Sequence, residues 1–158
     1  MKITLLAIGK TEESYLKEGI SIFENRLHHY LPFESIIIPA LKNAKNLSTH
    51  QQKIKEGELI LKNIVSTDRL VVLDELGKQH TSVEFANYIQ KNTLMATKNL
   101  MFVVGGPFGF SNEVYKRAND KISLSKMTFS HQMVRLFFVE QLYRAMTIIK
   151  GEQYHHGN

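Results

Sequence analysis

The chain of 158 residues contains no cysteine, which excludes disulfide bonds, thiolate metal sites and a cysteine nucleophile. It has no apolar run close to the roughly 20 residues that a membrane-spanning helix needs. The apolar run near the amino terminus, between Lys2 and Lys10, is too short for a signal peptide. We therefore expect a cytoplasmic protein with no membrane partner.

Several familiar active-site motifs are also absent. The chain lacks Gly-x-x-x-x-Gly-Lys-Ser/Thr and Gly-x-Gly-x-x-Gly, which disfavours P-loop NTPases and dinucleotide-binding enzymes. It lacks the Gly-x-Ser-x-Gly of serine hydrolases. Its seven histidines show no His-Glu-x-x-His spacing, so we expect no metal centre.

The composition is that of one globular domain, with 43% hydrophobic and 22% charged residues. The length predicts a single domain over residues 1–158. Lysine and arginine number 20 against 15 acidic residues, and residues 116–158 carry net +4 of the total net charge of +5. Such a charge permits a polyanionic partner without requiring one.

Short apolar runs alternate with segments of helical period along the whole chain. Capping boxes at Ser48 and Thr81 and a probable N-cap at Ser111 predict the starts of three helices. The predicted strands are residues 3–8, 33–38, 70–73, 100–104 and 122–124. This alternation predicts an α/β fold, with a largely parallel sheet and helices on both faces.

The longest predicted helix, residues 131–150, has apolar residues on more than one face. Such a helix lies at the centre of the core or forms half of an oligomer interface. We favour the interface, because the domain is small.

Ligands of open α/β sheets bind beyond the carboxyl ends of the strands. Three connections there are candidates: residues 74–78, 105–109 and 125–131. The pair Gly105-Gly106 is the strongest local signal for close approach of a ligand to the backbone, although a tight turn with a helix cap explains it equally well. Farther on, His131 and Arg135 lie four residues apart, and Glu140 and Arg144 have the spacing of an intrahelical ion pair.

Together these segments resemble the ribosomal RNA large subunit methyltransferase H family, a branch of the SPOUT superfamily. The resemblance rests on residues 73–78, 102–109 and 140–145, on the run Leu-Ser-Lys-Met-Thr-Phe-Ser-His-Gln-Met-Val-Arg at 124–135, and on the pair Tyr154-His155. It covers the whole chain, and the 124–135 run with the Tyr-His ending is its most specific part. The sequence departs from the usual pattern at Ser130, where proline is common, and at His156, where a basic residue is frequent.

The resemblance implies a trefoil knot near the carboxyl end of the sheet and a homodimer. It also implies S-adenosylmethionine as methyl donor and N3 of a pseudouridine in 23S rRNA of the ribosome as acceptor. Helix 131–150 becomes a natural dimer contact. Carried over residue by residue, donor binding falls to Leu73, Gly105, Leu124, Ser125, Lys126, Met127, Thr128 and Phe129.

For catalysis, neutral His131 or His155 is the candidate base that removes the N3 proton. Tyr154 is expected to stack on or orient the RNA nucleobase. Arg135 and Arg144 are expected to hold RNA phosphate or developing negative charge. We expect the tail of one protomer to complete the pocket of the other. Two other functions stay open: a SPOUT enzyme acting on tRNA or another rRNA base, and a nucleotide- or RNA-binding protein without enzymatic activity.

Overall fold

A computed structural model describes residues 1–157. Five strands form one sheet in the order β2-β1-β4-β3-β5, and every neighbouring pair is parallel. The strands are β1 (Lys2–Ile8), β2 (Phe33–Ile38), β3 (Arg69–Gln79), β4 (Asn99–Val104) and β5 (Asp120–Ser123). The helices are α1 (Ser14–Leu27), α2 (Thr49–Lys62), α3 (Ser82–Leu94), α4 (Asn112–Arg117) and α5 (Met133–Lys150), with a short 3-10 turn at Ala44–Asn46.

Both faces of the sheet are covered, because alternate residues of each strand point to opposite sides. In β1, Ile3 and Leu5 join the core formed with α1, α3 and α5. Leu6 and Ile8 join a second core with α2 and α4. The predicted α/β fold with helices on both faces is therefore confirmed. No helix within residues 1–157 is long and apolar enough to cross a membrane.

The predicted helix starts are also confirmed. The Ser48 side chain accepts a hydrogen bond from the Gln51 backbone at 3.1 Å, and the Gln51 side chain accepts one from the Ser48 backbone at 2.9 Å. Thr81 opens α3 with the same reciprocal pair of bonds. Each box satisfies two backbone donors that have no partner inside the helix.

Strand β3 differs from the prediction. Residues 74–78 were expected to form a loop, yet β3 continues to Gln79. Leu73 and Lys78 are both aligned with Ile122 of β5, so residues 74–77 bulge out between them. Gly77 permits this, because a Cβ there would lie 2.6 Å from the Ile122 backbone.

Helix α5 is central to the core, which was the less favoured interpretation. Phe138, Val139 and Leu142 are completely buried, and the Phe138 ring lies 4.6 Å from the Phe102 ring, centroid to centroid. On another side of the helix, Phe137 is 38% exposed. The dimer contact expected of α5 is therefore limited to what this core leaves uncovered.

Candidate active site

The connections that follow β3, β4 and β5 surround one cavity of about 360 Å³. This lies within the range of roughly 300–1,000 Å³ found for small-molecule pockets. Of the eight residues expected to bind a methyl donor, seven line it, and Lys126 is exposed. The seven are Leu73, Gly105, Leu124, Ser125, Met127, Thr128 and Phe129.

The β3 bulge forms one wall of the cavity and is tied to both neighbouring segments. Asp74 accepts a hydrogen bond from the Leu76 backbone at 2.8 Å and another from the Tyr115 hydroxyl of α4. Burial, together with this bond to Asp74, raises the pKa of Tyr115, which is thus a neutral donor. Thr128 donates to Glu75 at 2.6 Å. The bulge thereby brings two carboxylates to the cavity.

The glycine connection after β4 forms the second wall. Gly109 has a φ of +80°, and its N–H donates to the Gly106 carbonyl at 3.1 Å. A Cβ on Gly105 would lie 3.2 Å from the Phe110 ring, and one on Gly106 would lie 2.5 Å from the Glu56 carboxylate. Gly105 and Gly106 thus let the Phe110 ring and the Glu56 carboxylate pack closely against the backbone of this connection.

The third wall, residues 124–131, is held by short-range hydrogen bonds. Ser123 donates to the Ser125 carbonyl at 2.7 Å, and the Ser125 hydroxyl accepts from the Met127 backbone at 2.9 Å. The Ser130 hydroxyl accepts a hydrogen bond from the backbone of Met133, the first residue of α5, at 3.1 Å. Serine at 130, where the family pattern has proline, therefore has a local structural role.

His131 lines the cavity from the turn that precedes α5. Burial lowers the pKa of this imidazole, and the positive charge of Arg135 lowers it further, while Glu12 opposes the shift. Near neutral pH the imidazole is therefore neutral and able to accept a proton.

Arg135 is placed differently from the expectation. Its side chain is in the core, 1% exposed. The guanidinium donates to the carbonyls of Ile8 and Gly9, each at 2.7 Å, and to the His131 carbonyl at 3.1 Å. A buried group with these partners cannot reach RNA phosphate, so the structure does not support the RNA-contact role of Arg135.

Gln132 also holds the connection between β1 and α1. The sequence analysis did not predict this role of Gln132. Its side chain donates to the Lys10 carbonyl at 3.1 Å and accepts from the Glu12 backbone at 3.0 Å. Arg135 adds a bond of 3.2 Å to the Thr11 hydroxyl. The residues that flank His131 are thus fixed to the β1–α1 connection.

The remaining predicted residues form a separate cluster on α5 and in the tail that follows it. Glu140 and Arg144 form the expected ion pair at 2.6 Å. The Tyr154 hydroxyl donates a hydrogen bond to Glu140 at 3.1 Å. The Arg144 guanidinium lies over the Tyr154 ring, with its Cζ 4.7 Å from the ring centroid. The His155 Nδ1 lies 3.5 Å from the same guanidinium. Within residues 1–157, the cavity lining includes no residue beyond Val134, so the tail cluster lies outside it.

Burial and the neighbouring Glu140 carboxylate raise the pKa of Tyr154. Its phenol is therefore protonated and can donate a hydrogen bond. The part of the chain that the structure describes holds no group of three or more His, Asp or Glu side chains placed to bind a metal ion.

A family model described as "Predicted SPOUT methyltransferase" matches residues 1–155. The chain belongs to the SPOUT methyltransferase family. Within it, proteins named Ribosomal RNA large subunit methyltransferase H are close relatives over the full chain. Those of Parabacteroides distasonis and Christiangramia forsetii are 60% and 61% identical over 156 residues, which are 99% of this chain and of each relative. The protein of that name from Cytophaga hutchinsonii is 58% identical over 156 residues, which are 99% of this chain and 100% of the relative.

Solved structures resemble this SPOUT chain more distantly. A probable methylase family protein from Haemophilus influenzae has a TM-score of 0.49 and 13% identity, over 98% of this chain and 70% of that one. A putative methyltransferase from Legionella pneumophila, solved with bound SAM, has a TM-score of 0.45 and 12% identity, over 94% and 66%. Neither is similar enough to locate a ligand in this SPOUT protein.

Proposed function

We propose that this protein transfers a methyl group from S-adenosylmethionine to N3 of a pseudouridine in 23S rRNA of the ribosome. One observation carries the proposal: seven of the residues expected to bind the donor, from three separate segments, line a single cavity. The full-length similarity to proteins named for methylation of large-subunit rRNA supports the same substrate.

The cavity suits the chemistry of the donor. Leu73, Val104 and Leu124 offer an apolar wall for the adenine, and backbone groups of the surrounding segments are available for its ring nitrogens. Asp74 and Glu75 place carboxylates at the same cavity, where they can meet the ribose hydroxyls or the cationic end of the donor. When bound, S-adenosylmethionine supplies an electrophilic methyl group.

The chain must then prepare the acceptor nitrogen and exclude water. An imide N3 is a weak nucleophile until its proton leaves. His131 lines the cavity and is kept neutral by its surroundings, so we assign it as the group that accepts this proton. The other candidate base, His155, lies with the tail cluster of the same chain and would reach a cavity only as part of a partner's tail.

We further propose that the active unit is a homodimer in which the tail of one protomer completes the cavity of its partner. The support is the separation within one chain: the cavity contains His131, while Arg144, Tyr154 and His155 lie elsewhere. Phe137 is exposed on α5, and its ring lies tilted against that of Phe129 in the cavity wall, 4.8 Å from centroid to centroid. This contact links the helix surface to the cavity. In the partner's cavity, Tyr154 and His155 would contact the RNA base, and Arg144 its phosphate.

Mixed dimers test the shared cavity. A Gly105→Trp protomer loses its cavity but keeps its tail, and a protomer truncated before Tyr154 keeps its cavity but loses its tail. Mixing the two inactive variants restores one working site per mixed dimer if cavities are completed in trans. Activity that stays at the level of the separate variants would contradict the proposal.

The function itself is tested by mass spectrometry of RNA from cells that lack the protein. We expect one pseudouridine of 23S rRNA to lose its methyl group, and purified protein with S-adenosylmethionine to restore it on ribosomes. Free large subunits serve as the comparison substrate, and Gly105→Trp as the inactive control. A methyl group missing from tRNA or from another rRNA base would identify a different SPOUT reaction. Protein that bound RNA but no S-adenosylmethionine would indicate a binding protein.

Two further features belong to the proposal. The first is a trefoil knot in the segment between β4 and α5, as the family resemblance implies. The second is the cytoplasm as the place of action, because that is where ribosomes are assembled. The pairing of β5 with the far edge of β3, across a bulge, is consistent with an unusual path of the chain in this region.

A further inference from the structure

Glu56 of α2 is a buried carboxylate that the proposed reaction does not use. Its residue is 4% exposed. Oε1 accepts a hydrogen bond from the Gln52 side chain at 3.0 Å, whereas Oε2 has no hydrogen-bond partner within residues 1–157. Burial raises the pKa of Glu56, against the opposing effect of the Gln52 bond. An unpaired buried polar atom costs stability, so its retention needs an explanation.

The unpaired oxygen lies against the glycine connection that walls the donor cavity. A Cβ built on Gly106 would lie 2.5 Å from Oε2 and 2.9 Å from Oε1. The carboxylate therefore occupies the space that a side chain at position 106 would fill. Residues 105–110, which include this connection, all line the cavity. Glu56 is thus next to the cavity wall without being part of the lining.

Close packing of α2 keeps the carboxylate in this position. A Cβ on Gly57, the next residue, would lie 2.2 Å from the Ser111 hydroxyl and 3.3 Å from Val114. Ser111 and Val114 belong to the start of α4, which follows the glycine connection directly. Glycine at 57 is therefore what lets α2 approach closely enough for Glu56 to reach Gly106.

We propose that Glu56 is a positioning residue for the methyl-donor cavity: its Oε2 accepts a backbone N–H of the glycine connection, residues 105–109, when the donor binds, and so holds that connection in its binding conformation. The proposal rests on the proposed function. Glycine-rich backbone can make this adjustment at low cost. The bond formed on binding would satisfy the oxygen that is unpaired in the structure.

Glu56→Met separates this role from a purely structural one. The variant keeps the length of the side chain and removes the unpaired carboxylate, so we expect a melting temperature equal to or above that of the wild type. Loss of a charge-assisted hydrogen bond should weaken S-adenosylmethionine binding by about 10- to 100-fold, measured by calorimetry. Glu58→Met is the matched control, since Glu58 is exposed on the same helix, and should bind normally.

Proton release provides a second measurement. An N–H that reaches the carboxylate on binding favours its charged form, so binding lowers the raised pKa of Glu56 and expels a proton wherever the free carboxyl is protonated. Affinity then rises with pH as the free carboxyl titrates. Within residues 1–157, the groups that act on Glu56 are uncharged: the Gln52 side chain on α2 and the backbone at Gly106 in the connection. Calorimetry in two buffers of different ionisation enthalpy, comparing wild type with Glu56→Gln, isolates the proton of Glu56 from that of His131.

The outcomes are distinct. Weaker binding by Glu56→Met at an unchanged or higher melting temperature, with proton release that Glu56→Gln lacks, supports the role. Binding within about twofold of the wild type would overturn it. So would equal proton release by wild type and Glu56→Gln, a comparison that remains decisive if Glu56→Met does not fold. A wild-type protein that bound no S-adenosylmethionine would overturn the proposed function together with this role.

Discussion

The buried guanidinium of Arg135 yields the most direct test of the structure. Arg135→Met keeps the length of the side chain and removes all of its hydrogen-bond donors. The carbonyls of Ile8 and Gly9 each lose a bond of 2.7 Å, and the His131 carbonyl loses one of 3.1 Å. We therefore expect the variant to be less stable, although the methionine side chain still fills the space that the arginine side chain occupies in the core.

The expected size follows from which carbonyls water can reach. Ile8 is buried, so its carbonyl incurs the full penalty of an unpaired acceptor, about 1–3 kcal/mol. Gly9 and His131 are partly exposed, so water compensates part of their loss. Removal of the desolvated guanidinium, whose pKa burial lowers, gives some stability back. The free energy of unfolding should fall by about 2–3 kcal/mol, which is about 5–10 °C in melting temperature for a domain of this size.

Urea unfolding followed by circular dichroism measures this change at one fixed protein concentration, so that any dimerisation affects all variants equally. Arg26→Met is the matched control. Arg26 is exposed, and among residues 1–157 its side chain makes only cation–π contacts, with Phe23 and Tyr143. It should change stability by less than about 1 kcal/mol. If Arg135→Met were as stable as Arg26→Met, the guanidinium would not be bonded as described.

Further predictions concern the β3 bulge and the imidazole in the cavity. Gly77→Ala should lower the melting temperature more than Gly109→Ala. A Cβ at position 77 would lie 2.6 Å from the Ile122 backbone, whereas a Cβ at position 109 would have no atom of residues 1–157 within 4 Å and would meet only the strain of its positive φ. The imidazole of His131 should titrate below the ordinary histidine range by NMR, and Arg135→Met should raise its pKa. Because the unfolded chain binds this proton more readily, the free energy of unfolding should decrease as pH falls through the ordinary histidine pKa of about 6.5. Unchanged titration in the variant, or stability that increased on acidification in that range, would contradict these assignments.

Local patterns predicted the elements of the fold well, and they failed where two distant segments decide the outcome. Strands buried on both faces and reciprocal capping boxes are encoded within a few residues. The bulge at 74–77 depends on how β5 aligns with β3, which no local pattern records. The boundary of β5, predicted at 122–124 and found at Asp120–Ser123, depends on the same pairing.

The candidate site shows the same division. Residues of the cavity wall were found because the carboxyl ends of parallel strands meet at one edge. Arg135 was expected to hold RNA phosphate or developing negative charge because arginine stays charged. Its position instead depends on the carbonyls of Ile8 and Gly9, which are distant in sequence. Glu56 had one usable signal, since it precedes buried Ile60 by four residues on the inner face of α2.

The excess of positive charge in residues 116–158 now has a different meaning. Arg135 is buried, Arg144 is paired with Glu140, and Arg117 donates to the carbonyls of Val65 and Asp68. Arg135 and Arg117 therefore support the fold, so net charge overstates what one protomer offers to RNA. Arg144 belongs to the tail cluster that is proposed to contact RNA. Phosphate contacts contribute to affinity in proportion to their number. Four of the seven basic residues in this segment are exposed: Lys116, Lys121, Lys126 and Lys150. Two copies of this surface would offer RNA twice as many such cations as one copy. This is a physical reason, independent of the proposed shared cavity, that favours the proposed dimer as the unit that binds RNA.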